Sequence, residues 1–213
     1  MPSVEQLQVG EGRTFNLSVI FVDLVDSTNT ISKLSLSQTS RWLVHFLVES
    51  TRVIRDYGGQ IEKYSGDRVL GLFGTEGGSY GENAISALYC SLAIKCVIKK
   101  VLNPFYKSIN LPEAKVKVGI DYGIAQIDKV GIRGDSELSA IGDCVNIASK
   151  LENLAKENEV LLGNGFRDLL DDKNKGFCEK QTPPSEWTYQ YTKTKEKYPY
   201  YRYTADFDVC LDL

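Results

Sequence analysis

Histidine is nearly missing from this chain. The only one, His45, sits in Trp42-Leu-Val-His-Phe-Leu47 inside a helical pattern and reads as a packing or surface residue. No Ser-His-Asp or Cys-His arrangement can be built around any other histidine. The five cysteines, Cys90, Cys96, Cys144, Cys178 and Cys210, form no C-x-x-C pair and are odd in number, which suggests reduced thiols in a cytoplasm. The start Met1-Pro-Ser-Val-Glu-Gln has neither a basic region nor an apolar core, so it is no secretion signal. No apolar run reaches the length of a membrane span. There is no basic block, and a formal net charge of −3 argues against nucleic acid as a partner. Repeats and low-complexity tracts are also lacking. What remains is a chain of 213 residues with 42% hydrophobic content, enough for one sizeable core. The expected organisation is a flexible N-terminus over 1–14 and one domain over 15–213.

Two acidic residues stand out against this background. Asn16-Leu-Ser-Val-Ile-Phe-Val-Asp23 is an apolar run of buried-strand character that ends on a carboxylate and enters a Ser/Thr-rich turn. Gly58-Gly59 then opens Gln60-Ile-Glu-Lys-Tyr-Ser, Gly66-Asp67 breaks it, and Arg68-Val-Leu-Gly-Leu-Phe73 runs back. That pattern predicts a β-hairpin with Asp67 at its tip. Pairing of these strands would set Asp23 and Asp67 side by side. Two carboxylates that close repel unless a cation sits between them, and hard oxygen ligands open to substrate suit magnesium or manganese bound together with phosphates. Taken singly, an Asp capping a helix and an Asp in a turn remain open as alternatives.

A third motif, Ala140-Ile-Gly-Asp-Cys-Val-Asn-Ile-Ala-Ser-Lys-Leu-Glu-Asn-Leu-Ala155, predicts a turn at Gly142-Asp143. A helix follows, with Val145, Ala148, Leu151 and Leu154 or Ala155 on one face. Asn146 and Lys150 are four apart on it and project as a polar pair. Elsewhere the pattern predicts helices over Gln38 to Tyr57 and Glu82 to Val101, the latter stopped by Asn103-Pro104. Strands are expected at Ala114 to Ile120, Ile124 to Val130 and Glu159 to Leu162. Strand, helix, hairpin, helix, strand is the ferredoxin-like βαββαβ order, an α/β (α+β) class.

The ordered motifs Phe-x-Asp-x-x-x-Ser-Thr, Glu-Lys-x-x-Gly-Asp-x-x-x-x-x-Phe, Gly119-Ile-Asp-Tyr-Gly123 and Gly-Asp-x-Val-Asn-x-Ala-x-Lys-Leu-Glu resemble the catalytic domain of class III nucleotidyl cyclases. The resemblance runs over about residues 15–163, and the chain beyond it, a C-terminal strand and helix extension, matches poorly. It implies a nucleoside triphosphate substrate and two divalent cations per site, Mn²⁺ or Mg²⁺, on Asp23 and Asp67. The backbone of Leu24, Val25, Asp26, Ser27 and Thr28 would cradle the phosphates. Asn146 would orient the ribose and Lys150 would neutralise charge in the transition state. Lys63 and Ser139 would face the base. A cytoplasmic homodimer with shared sites is implied, since both halves of the site are present in one chain.

Four positions depart from the family pattern. Lys150 stands where an arginine is usual, keeping the charge but losing the bidentate fork. Ser139 replaces an Asp or Thr partner of the base-reading lysine. Asp26 replaces a small residue and offers a helix cap instead. The tail lacks the family's phosphate-side lysine loop and supplies Lys193, Lys195 and Lys197 in a charged hairpin before the strand Tyr200 to Tyr203. Ser139, together with Arg68 after Asp67, resembles the stand-alone bacterial pyrimidine cyclases of antiphage systems. That implies UTP or CTP as substrate and a product acting on a separate cyclic-nucleotide-responsive effector. Adenylate or guanylate cyclase, a nucleotide-binding domain without turnover, and a structural partner of an active homologue are the competing readings.

Overall fold

The computed structural model describes residues 7–74, 79–132, 134–191 and 194–205. Strand β1, Gly12–Leu24, carries the apolar run, and its residues divide by the strand's period of two. Ile20, Val22 and Leu24 face one cluster with Trp42, Phe46 and Leu88. Leu17, Val19 and Phe21 face another with Cys144, Val145 and Ala148. A strand covered on both faces reads as a continuous apolar run rather than an alternating one.

Helix α1, Ser27–Ile31, and the long α2, Leu36–Asp56, follow, the latter opened by a capping box between Ser35 and Gln38. Strands β2, Gln60–Ser65, and β3, Arg68–Phe73, form the expected hairpin around Gly66-Asp67. Helix α3, Tyr80–Val97, passes into a π-helical turn over Ile98–Leu102 and then α4, Asn103–Ser108. Pro104 therefore does not stop the helical segment. It lies in the first turn of α4, where its fixed φ suits the helix. Asn103 instead ties the segment back, donating to the Ala114 carbonyl at 2.9 Å and accepting its N–H at 2.7 Å.

The two strands expected across 114–130 are one, β4, Val116–Ile132, paired with β1 from Val116 to Asp128 without a break. Strand β5, Asp135–Ile141, was not anticipated and folds back on β4. Helix α5, Asp143–Leu154, is followed by β6, Val160–Gly163, α6, Asn164–Leu169, α7, Asp172–Gly176, β7, Cys178–Lys180, and β8, Tyr200–Tyr203. The sheet order is β2-β3-β1-β4-β6-β8-β7, with β5 added on β4. Its first four strands give the ferredoxin-like arrangement. Trp187 and Tyr200 join Leu151 and Leu161 in a smaller third cluster beneath α5.

Two expectations need correction. The chain is in place before residue 15, because Leu7 is buried and β1 pairs from Gly12. Cys90, Cys144 and Cys178 are free thiols, but Cys96 is disulfide-bonded, so reduced thiols do not hold throughout. Cys210 lies outside the described residues. Among the described residues no helix is long and apolar enough to cross a membrane. His45 packs edge-on against Phe105, with ring centres 5.0 Å apart.

Candidate active site

Pairing of Val22 with Val69 brings the end of β1 against the β2–β3 turn, and the two-residue turn needs Gly66 at φ 65, a left-handed conformation. Asp23 and Asp67 are thereby brought within electrostatic and hydrogen-bonding reach of each other. Burial pushes the Asp67 carboxyl above its ordinary range and the Asp23 charge adds to this. The Ser27 hydroxyl, which donates to Asp67, works the other way. Asp23 is likewise raised by burial and then by Glu152, while Lys117 and Arg68 oppose the shift. Among the described residues no cluster of three or more His, Cys, Asp or Glu is arranged to hold a metal. A buried and a half-buried carboxylate that repel each other nevertheless fit a divalent cation whose remaining ligands are water and phosphate oxygens.

The expected phosphate cradle spans the end of β1 and the start of α1. Leu24 is buried at the end of β1, and the Val25 N–H donates to the Lys115 carbonyl at 2.8 Å, so it is spent on the sheet. Asp26, Ser27 and Thr28 enter α1, where the first N–H groups have no partner inside the helix. Asp26 is not a side-chain cap: it sits at φ 53, and its carboxylate accepts instead from Asn29 Nδ2 at 2.8 Å.

Lys63 and Ser139 line one cavity of about 330 Å³ with Val130, Asp135 and Leu138. A bulge in β2 between Ile61 and Lys63 sets this up. Glu62 turns inward there, accepts the Ala140 N–H at 3.0 Å and pairs with Lys63 at 3.3 Å. Ser139 is thus held through its neighbour on β5.

Asn146 and Lys150 are exposed on α5, whereas Glu152 of the same helix is fully buried against Asp23. Residues 150 and 152 are about 200° apart around a helix, so Lys150 points away from the face that meets Asp23. Asn146 lies on Lys150's side of the helix, one turn earlier. The two halves of the expected site are therefore not assembled within one chain. In the tail, Lys197 donates to the Pro184 carbonyl at 3.0 Å, Lys195 is exposed, and Lys193 lies outside the described residues.

Sequence reasoning missed the charges behind Asp23. Lys117 Nζ lies 3.3 Å from Asp23 and 2.7 Å from Glu152, and Arg68 lies 3.8 Å and 2.7 Å from the same two carboxylates. It also missed Asp121 of the Gly119 to Gly123 motif. That carboxyl is buried, is pushed up to about 7 by burial, and accepts from the Tyr198 hydroxyl at 3.0 Å.

Residues 9–191 match the family described as the adenylate and guanylate cyclase catalytic domain. The chain belongs to this family. The match begins earlier and ends later than the motifs alone indicated. A cytidylate cyclase from Staphylococcus aureus is 28% identical over 155 residues, which is 71% of this chain and 37% of that protein. A uridylate cyclase from Burkholderia cepacia is 28% identical over 192 residues, 88% of this chain and 82% of that one. The chain thus spans little more than a third of the first and most of the second. Adenylate cyclases are also among its relatives. The crystal structure of the adenylyl cyclase CyaB from P. aeruginosa superposes with a TM-score of 0.80 at 22% identity, covering 93% of this chain and 98% of that one. At that identity the likeness concerns the cyclase fold alone.

Proposed function

We propose that this chain converts UTP, or CTP, to its 3′,5′-cyclic monophosphate and pyrophosphate, acting as a homodimer with two shared sites. The observation that carries the reading is the division of the site. Asp23 and Asp67 meet at one end of the sheet, while Asn146 and Lys150 stand exposed on the far side of α5. A second copy related by a two-fold axis supplies what each copy lacks.

In this reading the ribose 3′ oxygen attacks the α-phosphorus, the bond from that phosphorus to the β-bridging oxygen breaks, and the 3′ proton leaves to solvent. Asp23 and Asp67 would hold divalent cations, which would supply charge neutralisation and a more acidic 3′-hydroxyl. Ser27 holds Asp67 in place through its hydroxyl. The N–H groups that open α1 receive phosphate oxygens. Asn146 orients the ribose, and Lys150 brings its ammonium to the phosphoryl group, a point charge without an arginine's two-pronged grip.

The pyrimidine preference is supported by the Lys63 and Ser139 cavity and by two relatives named as pyrimidine cyclases. Lys63 donates to a pyrimidine carbonyl, and the Ser139 hydroxyl serves as either donor or acceptor. The same lysine also suits adenine, and the adenylate cyclases among the relatives make ATP the second reading. In the cell we place the product in antiphage signalling, acting on a separate effector.

The test is incubation of the purified protein with each of the four ribonucleoside triphosphates and Mn²⁺. UTP or CTP is expected to exceed ATP and GTP by more than about tenfold in kcat/KM, which requires roughly 1.4 kcal/mol of differential transition-state binding. Ser139→Asp should narrow the gap. ATP or GTP as the best substrate would remove the pyrimidine assignment and leave a cyclase, and no cyclic product from any triphosphate would favour a binding domain.

A further inference from the structure

Behind Asp23 four charged side chains from four separate elements close into a ring: Asp23 on β1, Arg68 on β3, Lys117 on β4 and Glu152 on α5. The ring is electrically neutral, and its distances are unequal in a consistent way. Each cation is 2.7 Å from Glu152 but 3.3 Å or 3.8 Å from Asp23. The Glu152 side chain has no solvent exposure at all, whereas Asp23 keeps 12%. Glu152 is also fixed by backbone packing, since α5 rests directly on Gly119 of β4 at this residue. Arg68 is further braced across the Phe21 ring, with its guanidinium carbon 5.7 Å from the ring centre.

This geometry has an electrostatic consequence. A carboxylate left alone with two half-buried cations is a poor ligand, because its negative charge is already neutralised and an incoming dication meets two like charges. A second carboxylate that holds both cations more closely restores the first one's availability. We propose that Glu152, Lys117 and Arg68 are positioning residues that set the divalent-cation affinity of Asp23: Glu152 draws the two cations back from Asp23, and the cations in turn moderate the binding. The proposal rests on the reading of Asp23 as a metal ligand.

It predicts changes of opposite sign. Glu152→Gln leaves two cations on one carboxylate and weakens binding, whereas Lys117→Met leaves two carboxylates with one cation and strengthens it. Each shift is expected to be on the order of tenfold, given one unit charge altered close to a dication. The experiment is a Mn²⁺ titration of the nucleotide-free protein, read by the electron paramagnetic resonance signal of free Mn²⁺, with melting temperature as the check on folding. Weaker binding in Glu152→Gln with tighter binding in Lys117→Met supports the proposal. Shifts in the same direction, or none, in folded protein overturn it. Loss of packing alone does not tighten metal binding, so a purely structural role fails this test. If Glu152→Gln does not fold, Lys117→Met decides alone: tighter binding supports, and unchanged or weaker binding overturns. Asp23→Asn separates the two levels of the argument. If it binds Mn²⁺ as the wild type does, the metal assignment itself falls and this proposal with it. If it loses binding while the charge variants do not diverge, only this proposal falls.

Discussion

Replacing Gly119 with alanine tests how closely α5 must sit on the sheet. Gly119 lies in β4 between β1 and β6, and a Cβ there meets the Ala148 carbonyl oxygen at 2.2 Å, the Glu152 nitrogen at 2.2 Å and the Glu152 Cα at 2.9 Å. All three are backbone atoms, so no flexible side chain can swing away and the helix itself must rise by most of an ångström. Overpacking of this kind costs typically about 1–3 kcal/mol. With two contacts this short, the upper end is expected. In a domain of this size that corresponds to a loss of roughly 5–10 °C in melting temperature. The damage should exceed the stability effect, because α5 carries Asn146 and Lys150 outward and Glu152 inward. Turnover measured well below the melting point is therefore expected to fall at least about tenfold, since small misplacements of positioning groups are costly. A Gly119→Ala protein that melts within about 1 °C of wild type and keeps its turnover would refute the argument that this contact sets the helix.

Asp23→Ala and Asp67→Ala are each expected to abolish cyclisation while leaving the protein folded, checked by turnover at saturating Mn²⁺ beside circular dichroism. Near wild-type turnover in either would remove the two-metal assignment. Mixing inactive Asp67→Ala with inactive Asn146→Ala should restore roughly a quarter to a half of one-site activity through heterodimers, assuming random pairing; no recovery after proven subunit exchange counts against shared sites. Asp121, raised to about 7, holds a proton in the folded state that the unfolded chain releases near its ordinary 3.8. Its contribution to stability is therefore present at low pH and lost as pH rises through that window, by up to roughly 4 kcal/mol. Asp121→Asn should flatten the decline in melting temperature between pH 5 and pH 8, and an unchanged slope would place the titration elsewhere.

What was legible in the sequence followed from local rules. The β1 run showed itself because both its faces are covered, and the Asp67 hairpin because Gly66 supplies the left-handed turn between two strand-like runs. The helix of Asn146 and Lys150 carried a clear apolar face. The β4–β5 hairpin was not legible. Strands were expected to either side of residues 121–123, yet β4 runs through them, and the missing side chain of Gly123 admits Cys144 of α5, which a Cβ would meet at 3.2 Å. Strand β5 is half-exposed and rich in polar residues, so it lacks the alternation that marks a strand. The ion pairs of Glu152 with Arg68 and Lys117 join three distant elements, and no pattern within one element announces such a contact. Asp26 failed as a cap for a related reason: its backbone is bent into the left-handed region by the exit from β1, which turns the carboxylate toward Asn29.

In the proposed shared-site dimer, helix α5 would link the two halves of the site. Its inner face places Glu152 against the cations beside Asp23, and its outer face leaves Asn146 and Lys150 exposed, where the proposed shared-site dimer would bring a second copy. A displacement of this helix would therefore change the charge balance at its own chain's Asp23 and, in that dimer, the proposed ribose and phosphoryl contacts of the partner's site at once. Single-residue changes on the inner face, which touch no nucleotide, should then lower turnover at both sites of a dimer. Changes on the outer face should affect only the site they reach. The mixing experiment distinguishes these cases, because a chain carrying Gly119→Ala paired with Asp67→Ala has no intact site: the Asp67→Ala chain spoils one, and the displaced helix spoils the other.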